Sequence, residues 1–457
     1  MENVIRDLKR GKAAGIDSLT AEHLQHCHQL LPCILAKLFN VIVQFGYVPA
    51  NFGLSYTIPL PKGDKRCNRS LTVDDFRGIS ISPVLSKVFE YCVLNRFSSY
   101  LTTSDNQFGF KKSTGCSHAI YSARSIISHY VAFGSTVNLC ALDISKAFDR
   151  MNHHGLFVKL MQRQIPVNLL AAIENWFDKC YTCVRWFFSV RSNFFKLEIG
   201  IRQGGVLSPQ FFAVYIDDIV AKVNRQDVGC FMHHVCVSII VYADDILILA
   251  PSVTALQRLV ILVETELHTL GMSLNVTKSV CMRIGPRYQD RCANIVTSSG
   301  RELEWVQVIR YLGVYVASFC KFKCLYADAK KAFFRSFNAV YGRIGRAASE
   351  EVILSLIKAK CLPVLLYGLD ACPVNATDTR SLDFTVNRIL MKIFSTYSTE
   401  IIENCQNAFD FPPVHTLLQR RKLKFLRKFI ASENIVCMLC SESAETELNI
   451  VNRTELK

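Results

Sequence analysis

The stretch Val237-Ser238-Ile239-Ile240-Val241-Tyr242-Ala243-Asp244-Asp245-Ile246-Leu247-Ile248-Leu249 sets two adjacent carboxylates between two apolar, β-branched runs. Each run reads as a strand, so the acids read as the tip of a hairpin. Burying such strands on both sides of an acid pair is unfavourable unless a cation neutralises the acids. Hard cations such as Mg²⁺ take carboxylate oxygens, which makes the hairpin a place to hold divalent metal. The plainer alternative is an ordinary turn, because Asp is common in turns. Hairpin turns, however, prefer Gly or Asn to paired acids. A third carboxylate decides between the two.

It lies about a hundred residues upstream. Val137-Asn138-Leu139-Cys140-Ala141-Leu142-Asp143 reads as a buried strand ending in an acid, followed by Ile144-Ser145-Lys146-Ala147-Phe148-Asp149. If that strand lies beside the hairpin, Asp143, Asp244 and Asp245 meet at one sheet end. Three such carboxylates can hold two Mg²⁺ ions roughly 3.5–4 Å apart, the arrangement used for in-line phosphoryl transfer. A near-copy, Tyr215-Ile216-Asp217-Asp218, sits mid-helix, where neighbouring side chains splay by about 100°. It is assigned no metal role.

The chain has 457 residues, half of them hydrophobic, and a formal net charge of +15. Mean hydropathy of +0.20 describes a folded chain long enough for two or three subdomains. A pI near 9.0 favours a polyanionic partner. Cations cluster between Lys321 and Arg346 and again in Arg420-Arg421-Lys422-Leu423-Lys424-Phe425-Leu426-Arg427-Lys428. A solvated helix face explains one such run; two runs with the net charge favour nucleic acid. The 19 cysteines are scattered, many in apolar runs, and there is no signal-peptide h-region. This usage places the chain in a reducing, intracellular compartment. Cys180/Cys183 and Cys437/Cys440 lack partners at finger-like spacing and are not read as zinc sites. No apolar stretch reaches the length of a membrane span.

Pattern changes divide the chain. Residues 1–136 mix helices with basic loops. Asp17-Ser18 reads as an N-cap, with Leu24, Leu30, Leu31, Ile34, Leu35, Leu38 and Val41 as the apolar face behind it. Pro59, Pro61, Gly63 and Gly78 mark loops beside short strands. Residues 137–316 alternate strands (137–143, 237–242, 246–250, 311–316) with helices (155–175, 209–223, 254–270), which describes an α/β core. From 321 the pattern is helical and basic, with Pro363, Gly368 and Pro412-Pro413 separating helices.

Two further segments carry chemistry. Gly200-Ile201-Arg202-Gln203-Gly204-Gly205-Val206-Leu207-Ser208-Pro209 is a glycine-rich loop feeding a helix start, where backbone can approach a nucleotide closely. Ile58-Pro59-Leu60-Pro61-Lys62-Gly63 and Asp75-Phe76-Arg77-Gly78-Ile79-Ser80 read as two strands joined by a polar loop. That hairpin offers Lys62 as a point charge and Arg77 as a bidentate fork for phosphate, with plain surface charge as the alternative.

Taken in order, Lys62, Arg77, Asp143 to Asp149, Gln203-Gly204-Gly205, Tyr242-Ala243-Asp244-Asp245, Gly271-Met272-Ser273-Leu274-Asn275-Val276-Thr277-Lys278 and Arg310-Tyr311-Leu312-Gly313 resemble the reverse transcriptases of LINE-type (non-LTR) retrotransposons. The likeness spans about residues 1–400. Gly11 to Asp17 resembles the segment preceding the fingers, and Ala359 to Gly368 resembles thumb-side helices. The resemblance implies an α+β, right-hand polymerase fold: fingers with N-terminal helices over 1–136, a palm with an antiparallel sheet over 137–320, and a basic helical thumb and C-terminal region over 321–457. An inserted fingers-side helical segment is expected near 155–198.

By the same resemblance Asp143, Asp244 and Asp245 are the metal ligands. Lys62 and Arg77 contact the triphosphate, with Tyr242 at the same nucleotide site. Phe148 gates against the 2′-hydroxyl, and a core Phe fits that position equally. Gln203 and Gly204 contact template and nucleotide, and Lys278 protonates or steadies the leaving pyrophosphate, a solvated surface Lys being the alternative. Tyr311, Leu312 and Gly313 form the primer-grip turn.

The expected function is RNA-directed DNA synthesis with two Mg²⁺ ions, Mn²⁺ being a possible substitute. The expected partners are an RNA template, a DNA primer and deoxynucleoside triphosphates, with no membrane. A nuclear location follows from how such elements insert. No endonuclease, ribonuclease H carboxylate set or Cys-Cys-His-Cys knuckle is read in this chain. It is expected to be a truncated copy, so a catalytically inactive, nucleic-acid-binding remnant is the alternative.

Overall fold

The computed structural model describes residues 1–62, 71–186, 190–345 and 347–455; Gly63, read above as a loop marker, and Arg346, in the first basic run, lie outside them. The chain divides into two compact units. One comprises Met1–Ser104, Ile144–Ala221 and Thr265–Ser273; the other comprises Asp105–Asp143, Lys222–Glu264 and Leu274–Lys457. Each unit is assembled from three separate stretches of sequence.

The second unit is built on a six-stranded sheet. Its order is Ile295–Val296, Glu302–Trp305, Val280–Ile284, Val137–Asp143, Asp245–Ala250, Ile239–Tyr242. Val137–Asp143 runs antiparallel to both neighbours. One parallel pairing, between Val280–Ile284 and Glu302–Trp305, lies toward the far edge. Leu139, Cys140, Leu142, Ile246, Leu247, Ile248 and Leu249 are all buried, so these strands are apolar on both faces. Helix Cys116–Ala132 supplies Ile120, Ile126 and Ile127 to the same core. Helices Ala327–Ile344, Ala376–Ile393 and Val414–Ile430 extend that core with Phe333, Phe337, Leu390, Leu426 and Phe429.

One expectation for this unit changes. The run 311–316 is a hairpin rather than one strand: Val308–Tyr311 pairs with Val314–Ala317 across a turn at Leu312-Gly313. Leu312 has φ of 44° there, which no strand interior adopts. A third strand, Lys323–Leu325, completes this small sheet and precedes the helical region.

The first unit carries a five-stranded sheet in which the hairpin Leu54–Pro61/Phe76–Ile81 pairs in parallel with Tyr181–Trp186. Behind it Phe39, Phe52, Phe89 and Trp176 pack ring against ring, with Phe89 5.2 Å from Phe39 and 5.9 Å from Trp176. This aromatic cluster corrects the N-terminal reading. Helix Leu31–Phe45 buries Leu35, Phe39 and Ile42. Leu30, Ile34, Leu38 and Val41, taken as its core face, are 40–60% exposed. Two apolar stripes compete on this helix, and the one with the larger aromatic area faces the core. Ser18 is not a cap either; Thr20 caps a short helix, Ala21–Gln25, and the chain restarts at Leu31. The segment 155–175 is likewise two helices, His153–Gln162 and Val167–Asp178. Gln164 at φ of 56° and Pro166, which has no N–H to donate, end one and start the other.

Among the described residues no helix is long and apolar enough to cross a membrane. The described cysteines are all free, and Cys180, Cys183, Cys437 and Cys440 are buried.

Replacing Phe89 with Ala should cost about 3–5 kcal/mol through the cavity it leaves. Leu38→Ala, on the exposed stripe, should fall within about 0.5 kcal/mol of wild type. Urea unfolding of both variants checks which stripe faces the core.

Candidate active site

Strand pairing brings the acids together. Asp245 sits directly opposite Asp143 on one neighbour and opposite Tyr242 on the other. Ala243 and Asp244 therefore form a two-residue turn, with Ala243 at φ of 57°. Directly opposite residues on antiparallel strands project to the same face, so the Asp143 and Asp245 carboxylates share one face at the sheet end. Asp245 is raised to about 6 by desolvation, then by the charges of Asp244 and Asp143, with Arg310 opposing. Asp245 remains exposed, so the carboxylate repulsion is the part that a cation would relieve. Among the described residues no three His, Cys, Asp or Glu side chains close into a metal cage. The donors are nonetheless hard carboxylate oxygens that repel one another at one sheet end, a set suited to a divalent cation.

The loop after Leu274 is tied to the same strand. Asn275 N–H donates to the Asp143 carbonyl at 2.8 Å, and Asp143 N–H donates to Ser279 Oγ at 3.1 Å. Between these anchors Lys278 Nζ stands 3.7 Å from Asp143 Oδ2. The Tyr242 phenol is pushed up to about 12 by burial and then by its hydrogen bond with Cys116. In the expected primer-grip turn, Tyr367 Oη donates to the Leu312 carbonyl at 3.1 Å. Tyr311 Oη is buried without a partner, and the Asp245 charge adds to the burial that raises its phenol.

Sequence reasoning passed over the segment that holds the acid turn. Asn106 to Gly109 runs along the outer strand: Val241 N–H donates to the Asn106 carbonyl and Phe108 N–H to the Val241 carbonyl, both at 2.8 Å. Gln107 bridges Val241 and its Oε1 accepts from Ala243 N–H at 3.2 Å and from Gly109 N–H at 2.9 Å. A Cβ on Gly109 would lie 2.6 Å from the Ala243 nitrogen, so only glycine allows this approach. Asp105 anchors the segment further, accepting from Ile435 N–H at 3.1 Å. The visible signal was a Gln between polar and aromatic residues with no strand period.

The remaining candidates gather in the first unit. Strand Phe76–Ile81 carries the exposed Arg77, and Lys62 Nζ donates to the Asp74 carbonyl at 3.0 Å. Lys146 pairs with the Asp74 carboxylate at 2.8 Å. Ser80 N–H donates to the Gln203 carbonyl at 2.7 Å, and Gln203 Nε2 donates to Asp149 Oδ1 at 3.2 Å. Gly204, at φ of 123°, would place a Cβ 2.5 Å from the Ser80 carbonyl oxygen. Phe148 stacks on Phe212 with ring centroids 4.6 Å apart, and its carbonyl accepts from Ile201 N–H at 2.9 Å.

A second residue missed at the outset, Glu90, is buried beneath this loop. It accepts from Val206 N–H at 2.5 Å and Leu207 N–H at 2.8 Å. Desolvation raises its carboxyl, and the Arg202 charge opposes. The look-alike acids on helix Ser208–Asn224 are occupied: Asp217 accepts from Ser104 N–H and pairs with Arg163, both at 2.9 Å, and Asp218 pairs with Lys159.

Gln107→Leu keeps the volume and removes the acceptor shared by two buried N–H groups, a loss of about 1–3 kcal/mol for each. Amide exchange at Ala243 should accelerate about tenfold or more, while that at Leu139 in the central strand stays within a factor of about two. Hydrogen–deuterium exchange resolved by residue measures both.

Residues 60–316 match the family model described as reverse transcriptase (RNA-dependent DNA polymerase). The chain is similar to the Retrovirus-related Pol polyprotein from type-2 retrotransposable element R2DM of Drosophila melanogaster, 23% identical across 64% of this chain and 28% of that protein. It is also similar to the RNA-directed DNA polymerase from mobile element jockey of the same organism, 24% identical across 82% of this chain and 41% of the relative. A solved apo telomerase from Candida tropicalis aligns at a TM-score of 0.45 and 11% identity, over 94% of this chain and 72% of that one. The chain spans less than half the length of these two curated relatives. The match over residues 60–316, more than half the chain, shows that this protein belongs to the reverse transcriptase family, on the side of the non-LTR retrotransposon polymerases.

Proposed function

We propose that this chain is the RNA-directed DNA polymerase of a non-LTR retrotransposon, adding deoxynucleotides to a primer 3′-hydroxyl. The observation that carries the reading is the registered pairing of Asp143 with Asp245, with Asp244 at the adjoining turn, in a chain of this family. The primer oxygen bonds to the α-phosphorus of the deoxynucleotide while the bond to pyrophosphate breaks. Asp143, Asp244 and Asp245 would hold two Mg²⁺ ions, with Mn²⁺ as a substitute. Bound there, such a pair supplies activation of the attacking hydroxyl and stabilisation of charge on the leaving oxygens.

The chain's own residues do the remaining work. Lys62 and Arg77 bind the triphosphate, and Tyr242 lines the nucleotide site. Gln203 and Gly204 position template and nucleotide on a loop whose backbone is fixed by Ser80 and Glu90. Phe148, backed by Phe212, excludes a 2′-hydroxyl. Lys278 holds a proton near the leaving group, and Tyr311, Leu312 and Gly313 orient the primer end. RNA template, DNA primer and deoxynucleoside triphosphates are the proposed partners, and the nucleus is the proposed location. The labels fingers, palm and thumb over 1–136, 137–320 and 321–457 are functional ones, supported by the sheet of acids in the middle range and the basic helices after it.

The second reading is a catalytically inactive remnant that only binds nucleic acid; the net charge of +15 and the two basic runs, which need no working acid site, are the observations in its favour. Primer extension on oligo(dT)-primed poly(rA) separates the two. Asp244→Asn or Asp143→Asn should lower Mg²⁺-dependent extension by about a thousandfold or more, given the several kcal/mol such a site supplies. RNA binding should stay within a factor of about two, because the phosphate contacts that dominate affinity lie elsewhere. Undiminished extension in either variant would remove the assignment. Phe148→Ala should admit ribonucleotides, and unchanged sugar selectivity would remove the gate.

A further inference from the structure

Helix Ala376–Ile393 places Phe384, Arg388 and Lys392 at spacings of four, stacked along one helix face. Phe384 is 60% exposed, and Tyr397, just beyond the helix, is 93% exposed. With Asn338 on helix Ala327–Ile344 and with Ser395, they line an open groove of about 960 Å³. Lys392 Nζ is held over the ring of Tyr341 at 5.0 Å, which keeps one cation on the groove wall. No carboxylate is among the described residues that line it. The exposed rings leave apolar area in water, and no carboxylate among the described residues of the groove wall answers the two cations beside them. They match a ligand that brings both π-faces and regularly spaced anions.

We propose that this groove binds single-stranded RNA, with bases stacked on Phe384 and Tyr397 and phosphates on Arg388 and Lys392. A purely apolar protein segment would fill the rings and leave both cations unmatched. The Asn338 amide and Ser395 hydroxyl, both exposed, are the groups available to a 2′-hydroxyl, which distinguishes RNA from DNA. The proposal rests on the reading that the template is RNA. The groove would take the stretch of template that is not paired with primer, away from the Asp143–Asp245 sheet end. Nothing in the family match, which stops at residue 316, covers it.

Fluorescence anisotropy of the full chain with labelled oligo(rU) tests this. Stacking on one ring changes affinity by about 5- to 150-fold. Phe384→Ala with Tyr397→Ala should therefore weaken binding at least about tenfold with an unchanged circular dichroism spectrum, since both rings lie outside the core. Arg388→Glu should weaken it comparably and flatten its dependence on salt. Wild-type affinity in both variants would overturn the proposal and mark the rings as a face for a protein partner. Oligo(dU) that binds as tightly as oligo(rU) would overturn the choice of RNA. Wild-type primer extension, measured in parallel, reports on the polymerase separately. If extension is absent while RNA binding still depends on the rings, the groove stands and the polymerase reading falls.

Discussion

Two carboxylates held opposite one another on neighbouring strands are the constraint around which the second unit is organised. Asp143 and Asp245 cannot move apart without breaking the ladder between Val137–Asp143 and Asp245–Ala250. Desolvation first, and then the charges of Asp244 and Asp143, raise the carboxyl of Asp245. Backbone therefore carries the burden of keeping them together. The buried apolar residues of both strands, the Asn275–Ser279 loop tied to Asp143 and the Asn106–Gly109 segment bound along Val241 all act on that one strand end. A site that must keep like charges close has to be rigid before any cation arrives.

The loop at Gln203 solves the opposite problem, since it must be shaped yet open. Its conformation is set from below by the buried Glu90 carboxylate and from the side by Ser80 and Asp149. Gly204 is left exposed at the crest. A buried acid that takes two backbone N–H groups gives a loop a definite form without any side chain on its outer surface.

What could be read from sequence follows from how local each signal is. Ile239 to Leu249 and Val137 to Asp143 announce themselves because strands buried on both faces leave unbroken apolar runs ending in acids. The contrast between Tyr242-Ala243-Asp244-Asp245 and Tyr215-Ile216-Asp217-Asp218 was also legible, since turn and helix separate two identical acid pairs by local pattern alone. Helix Leu31–Phe45 was misjudged because it has two apolar stripes and only tertiary packing chooses between them. The turn at Leu312-Gly313 was offered by the family resemblance alone, because the apolar run around it reads as one strand that hairpin pairing breaks in two. Gln107 and Glu90 were invisible for a deeper reason: each acts on backbone more than a hundred residues away, and polar residues that serve a distant amide leave no periodic trace.

The interleaving of the two units has a consequence for how the protein comes into being. The unit holding Met1–Ser104 is incomplete until Thr265–Ser273 has been made, as the Tyr215 hydroxyl bonded to the Leu270 carbonyl at 2.7 Å illustrates. The acid-bearing sheet in turn waits for strands beyond residue 280. Neither unit can form behind the ribosome as an early, finished domain. The nascent chain must hold long apolar strands such as Val137–Asp143 unpaired while about a hundred further residues emerge, at roughly 5–20 residues per second. Closure of such long-range pairings is intrinsically slow and exposes strand edges to other chains. Successful production of this protein is thus a contest between distant pairing within one molecule and premature pairing between two.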